Sequence, residues 1–181
     1  MYPNVLKRTE IKTKGLIILL TVVSAVALPQ IFHALGVVSG AGSLPGQIFL
    51  PMHIPVLIAA LVCGPAVGLI SGLISPIISF AVSGMPAVTL LPFMIIELGA
   101  YGLSAGLLFK VNMSTVAKLL VAQVAGRAIR AATAIIAVYG FDSQALTLAS
   151  ILSSITTALP GIVLQWALIP LAVYRIKSIR K

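Results

Sequence analysis

The chain has 181 residues, of which 60% are hydrophobic and only 8% charged, with a formal net charge of +9. A soluble domain carries roughly 25% charged residues, so this sequence cannot cover itself with a water-compatible surface, and a soluble enzyme is excluded. A lone cysteine, Cys63, excludes an internal disulfide framework.

Residues 1–14 form a basic tail with Lys7, Arg8, Lys12 and Lys14. The first apolar span covers about 15–33, and Thr21, Ser24, Ala25 and Ala27 give it a small-residue face suited to a partner protein. Residues 34–47, rich in Gly, Ser and Pro, read as a loop and the longest connection in the chain. The second span, about 48–64, contains Pro51 and Pro55 and should be irregular at its start. Gly64-Pro65 turns into a third span that runs to about 83, with a kink expected at Pro76. After the turn Ser83-Gly84-Met85-Pro86, the fourth span covers about 89–109. Asn112-Met113-Ser114 links it to a fifth span ending near Tyr139. Beyond the turn at 140–143, the sixth span runs from about 145 to 174 and is interrupted at Pro160-Gly161. A basic tail, 175–181, completes one membrane domain of residues 1–181. With ~20 residues per crossing, an all-α integral membrane fold of six transmembrane helices uses these residues fully.

The basic residues orient this arrangement. Ten of the twelve Lys and Arg (Lys7, Arg8, Lys12, Lys14, Lys110, Lys118, Arg175, Lys177, Arg180, Lys181) fall on one side of a six-span thread, and none falls in the opposite loops. That bias puts both termini in the cytoplasm. The net charge is thus a topology signal rather than a nucleic-acid footprint. Gly64, Gly68 and Gly72, the serines Ser71, Ser75 and Ser79, and Gly102 with Gly106 recur at spacing four, which lets helix backbones approach closely in lipid.

The other two cations lie within the membrane, where each ionisable group needs a reason. Glu97 falls near the middle of the fourth span, and Arg127 and Arg130 fall near the middle of the fifth, three apart on one face. Gln123 lies one turn earlier on that face. Antiparallel spans bring Glu97 and the arginines to comparable depth, so a salt bridge is expected. Two arginines against one carboxylate leave a positive charge for a ligand anion, a water-filled cavity or helix carbonyls. Arg130, nearer the outside, is the first choice for ligand contact. His53 at the outer start of the second span is either a helix-start histidine bonded to a carbonyl or a wall of an outward-facing site. Ser153, Thr156 and Thr157 lie near the outside and could bond a ligand or their own helix. Gln165 and Trp166, deeper in the sixth span, read as packing. Two histidines and one cysteine give no metal site, and no cofactor is expected. No nucleotide-binding Gly-x-x-x-x-Gly-Lys-Ser/Thr, Gly-x-Ser-x-Gly or His-Glu-x-x-His occurs, so the chain is read as no enzyme.

Six short spans, the segment from Leu50 to Pro86 with Pro51-Met52-His53-Ile54-Pro55 and Cys63-Gly64-Pro65, and Glu97-Leu98-Gly99-Ala100-Tyr101-Gly102-Leu103 together resemble the substrate-binding S-components of energy-coupling factor (ECF) transporters, in their broad vitamin-uptake group. The resemblance implies a prokaryotic plasma-membrane subunit that captures a vitamin outside and works with a transmembrane coupling protein and two ATPase subunits. It implies a pocket in the outer half that could include Arg130, Arg127, Glu97, His53, Gln123 and Thr156. It also implies a docking face on the first span, where the family's Ala-x-x-x-Ala has Thr21-x-x-x-Ala25 as its counterpart. The charges favour an anionic substrate such as pantothenate, a phosphorylated vitamer or a cobalamin precursor. The alternative is a stand-alone proton-coupled transporter of a small organic anion with Glu97 as its proton site, although the sequence shows no obvious internal repeat.

Overall fold

The computed structural model describes residues 3–141, 153 and 156–179. Its helices are α1 (Pro3–Val38), α2 (Leu44–Phe49), α3 (His53–Cys63), α4 (Pro65–Ser83), α5 (Leu91–Leu107), α6 (Thr115–Phe141) and α7 (Leu159–Ile179), with no strand among the described residues. Five segments are long and apolar enough to cross a membrane: Glu10–Val38, Leu44–Cys63, Pro65–Ser83, Thr115–Gly140 and Leu159–Ile179. The 17-residue α5 is a shorter apolar helix, about 26 Å long at 1.5 Å per residue. It packs along the adjoining span α4. Gly106 meets Pro65, Gly102 meets Gly68, and Leu98 meets Gly72, so α5 runs antiparallel along α4 over this whole stretch.

These meetings are backbone on backbone. A Cβ on Gly68 or Gly102 would overlap the other residue's carbonyl, and one on Gly72 would overlap the carbonyl of Leu98. The four-residue glycine spacing is therefore a packing seam between α4 and α5, the most extensive helix pair. On α4 the serines of the same stripe bond back into their own helix, Ser71 to Val67 and Ser75 to Ser71 at 2.6 Å. Large apolar side chains point outward instead, among them Leu16, Leu20 and Val23 of α1 and Ile135 and Ile136 of α6. That is the surface lipid requires.

Several expectations change. Backbone of residues 3–14, expected as a tail, is already helical, and α1 spans 36 residues, about 54 Å, well beyond a hydrocarbon core of about 30 Å. The expected loop at 34–47 shrinks to 39–43. Residues 34–38 carry no proline, so the helical ladder continues to a Ser39 N–H to Leu35 carbonyl bond of 2.9 Å. Gly36 is small for packing rather than for turning: the Gly42 carbonyl lies against it. Within 34–47 only Gly40 and Gly42 supply positive φ, 73° and 59°. Pro45 opens α2 in its first turn, where its missing N–H costs nothing.

The irregular start of the second span is a true break, with Leu50 left-handed at φ 48° between α2 and α3. Pro76 lies within α4, which continues to Ser83 and ends on left-handed Gly84. Gly140 and Phe141 still belong to α6, while the rest of the expected turn at 140–143 and the first part of the sixth span, 145–152, lie outside the described residues. Pro160 falls in the first turn of α7, and Gly161 lets that turn rest on the carbonyl of Ile48 in α2.

Candidate functional site

Helices α5 and α6 pack antiparallel through residues four apart. Phe93 shares a small apolar cluster with Ala134, Glu97 meets Arg130, and the Tyr101 ring covers Gly126. The Glu97–Arg130 contact is a single bond of 2.7 Å from Nη1 to Oε2, with the carboxylate 3% and the arginine 21% exposed. Glu97 is thus sealed in protein, whereas Arg130 keeps part of its guanidinium uncovered. Arg127, one turn below, lies beside Glu97 and Tyr101 and leaves its buried Nε without a protein partner. His53, at the first position of α3, stacks edge-on against Tyr101 with ring centroids 5.0 Å apart at 80°.

Above these groups lies a cavity of about 440 Å³. The end of α1, the α2–α3 break, the α4–α5 connection, α5 and α6 enclose it, with His33, Met52, Met94 and Ser79 in its walls. Glu97, Arg130 and His53 line its polar side. Gly46 makes room for the His33 ring, 3.2 Å from where a Cβ would be, and Phe32 packs on Phe49 at 5.3 Å, so α2 is held against α1 as a rim. A second, larger groove of about 630 Å³ runs between α1 and α4, but Gln30 is its sole polar lining side chain. It offers nothing with which to orient a polar solute.

The family described as ECF transporter, substrate-specific component, matches residues 15–173. The chain belongs to the ECF transporter S-components. No curated protein and no solved structure matches it. It is accordingly a multi-pass membrane protein and the substrate-binding subunit of a transporter.

Within this S-component the residues singled out from sequence divide into two groups. Glu97, Arg130 and His53 line the cavity. Arg127 stands behind them without lining it. Thr156 is exposed, and its hydroxyl donates to the Ser153 carbonyl at 2.9 Å; its neighbour Thr157 lines the cavity instead. Gln123 does share a helix face with the arginines, but α7 claims it. Its Nε2 donates to Gln165 Oε1 at 2.8 Å and its Oε1 accepts from Trp166 Nε1 at 2.7 Å. Thr21 and Ala25, expected as a docking face, turn inward instead. They are 7% and 0% exposed, Ala25 belongs to the core cluster, and the Thr21 hydroxyl donates to the Ile17 carbonyl at 2.7 Å. A stripe of small residues serves internal packing as well as it serves a partner; Thr21 and Ala25 serve the first, while Ser24 and Ala27 of the same stretch stay exposed. Tyr101 went unnoticed from sequence as a site residue, although its place one turn after Glu97 put it on the same face.

The Gln123 clasp has a measurable consequence. Gln123→Leu strips both the Trp166 N–H and the Gln165 carbonyl of their partner, and interhelical hydrogen bonds in membranes are worth about 0.6–1.7 kcal/mol. We expect a fall in detergent melting temperature, partly recovered in Gln123→Leu/Gln165→Met, which removes the stranded amide as well.

Proposed function

We propose that this S-component captures a vitamin or related micronutrient bearing an anionic group in the outer cavity. It passes the substrate inward together with an ECF coupling protein and two ATPase subunits in the plasma membrane of a prokaryote. The observation that carries this reading is the surplus of partly buried positive charge beside the cavity: Arg130 bonds the single carboxylate of Glu97, Arg127 lies beside it, and Arg130 remains partly uncovered. A buried guanidinium at membrane depth is costly without a counter-charge, and an oxyanion matches its planar fork. Cavity size agrees, since small-molecule sites run from about 300 to 1,000 Å³. The dependence on partners follows from the missing nucleotide-binding loop.

Reconstitution tests the reading. The purified chain in liposomes should bind its substrate without concentrating it, and co-reconstitution with a coupling protein and ATPase subunits should make uptake depend on ATP. Sustained accumulation by the chain alone, driven by a proton gradient and abolished in Glu97→Gln, would replace this reading with the secondary transporter.

A further inference from the structure

His53 is 4% exposed and lines the cavity, yet neither ring nitrogen makes a well-formed hydrogen bond within the protein, although the Leu50 carbonyl lies nearby. An imidazole carries at least one N–H donor in either protonation state. A buried donor that has only a poorly aligned carbonyl, that of Leu50, beside it is costly, and this one sits on a ring fixed by the Tyr101 edge contact. Arg130, close enough to His53 to act on it electrostatically, spends one N–H on Glu97 out of the five a guanidinium has. Unused donors from α3 and α6 therefore border the same cavity.

The charge count narrows what they hold. With Glu97 ionised by its 2.7 Å pair with Arg130, two guanidiniums and one carboxylate sum to a single positive charge. A carboxylate closes that balance, whereas a phosphate monoester, at about −1.5 to −2, would reverse it in a medium that penalises net charge. Met52, Met85 and Met94 line other parts of the wall and suit an apolar or aromatic body. A volume of about 440 Å³ lies low in the range of small-molecule sites and is too small for a corrin ring with its side chains. We propose that the substrate is a small monocarboxylate whose carboxylate is held between the His53 ring N–H and the free edge of Arg130. This rests on the outer cavity being the binding site.

The test uses the purified full chain in detergent, with thermal stabilisation and calorimetry as readouts. The probes are pantothenate, biotin and nicotinate; their uncharged counterparts pantothenol, biotinamide and nicotinamide; and the phosphate monoesters pyridoxal 5′-phosphate and thiamine monophosphate. At least one carboxylate should bind, with its uncharged counterpart about 100-fold weaker or worse. His53→Phe keeps the ring packing on Tyr101 and should cost that carboxylate about 10- to 100-fold in affinity without lowering the unliganded melting temperature. His53→Gln, which restores an N–H, should recover part of the loss. Binding of phosphate monoesters alone would overturn the monocarboxylate and leave the anionic reading standing. Binding of uncharged compounds alone would overturn both. Failure of all three carboxylates, or equal affinity in His53→Phe and wild type, would overturn the proposed subsite.

Discussion

Arg130→Ala should cost this S-component both stability and substrate affinity, and the two losses should be separable. The substitution leaves the Glu97 carboxylate, 3% exposed, without its 2.7 Å partner. Breaking a buried pair costs about 3–5 kcal/mol; with Arg130 one-fifth exposed, about 2–3 kcal/mol is the expected loss in stability. Affinity for an anionic substrate should fall by a further 2–5 kcal/mol or so, roughly 30- to 4,000-fold. Adding Glu97→Gln to Arg130→Ala removes the stranded charge and should restore most of the melting temperature without restoring binding. Arg130→Lys should recover only part of the affinity, because a point ammonium cannot reproduce the guanidinium fork. Melting curves and calorimetry on the four proteins separate the effects. If the double variant regains binding along with stability, Arg130 is a strut for Glu97 and takes no part in holding substrate.

What the sequence disclosed about this site follows from the cost of charge in lipid. Glu97, Arg127 and Arg130 stand out in a chain with 8% charged residues, and antiparallel threading alone sets them at one level. Which arginine takes the carboxylate was not legible. That depends on the rotation of α6 about its axis, fixed by Gly126 against the Tyr101 ring. Gln123 illustrates the same limit. It shares the arginines' face by periodicity, yet α7 crosses α6 at its level and takes it into the Gln165–Trp166 clasp, and no single-helix pattern reports where a third helix crosses. Thr21 and Ala25 turn inward for a related reason: small residues mark close approach without saying to what. Local signals did better. The Pro51–Pro55 run marked a real break, since a proline within a helix removes a ladder bond. Of the glycines at 34–47, Gly40 and Gly42 do form the turn, but Gly36 misleads, because it serves a close contact and leaves the helix intact.

The α4–α5 seam links these packing choices to function, because α5 carries Glu97 and Tyr101 on one face and Gly102 within the seam. Gly102→Ala should be among the most damaging single-methyl changes in the protein. The new Cβ would lie inside the carbonyl of Gly68, and neither backbone can rotate out of the way as a side chain could. The helices must part, and the neighbouring contacts of Gly72 with Leu98 and of Gly106 with Pro65 loosen with them. Overpacking costs typically about 1–3 kcal/mol and occasionally more; a backbone collision belongs at the upper end. For a chain of this size that lowers the melting temperature by roughly 6–12 °C. Gly15→Ala provides the control, since nothing lies within 4 Å of a Cβ there and alanine favours a helix over glycine by about 1 kcal/mol; it should melt no lower than wild type. Displacing α5 also shifts Glu97, the residue next to Leu98 of the seam, so Gly102→Ala should weaken substrate binding although it touches no cavity residue. Equal melting temperatures for the two alanine variants would mean that α4 and α5 do not meet backbone to backbone, and the placement of Glu97 against Arg130 would lose its foundation.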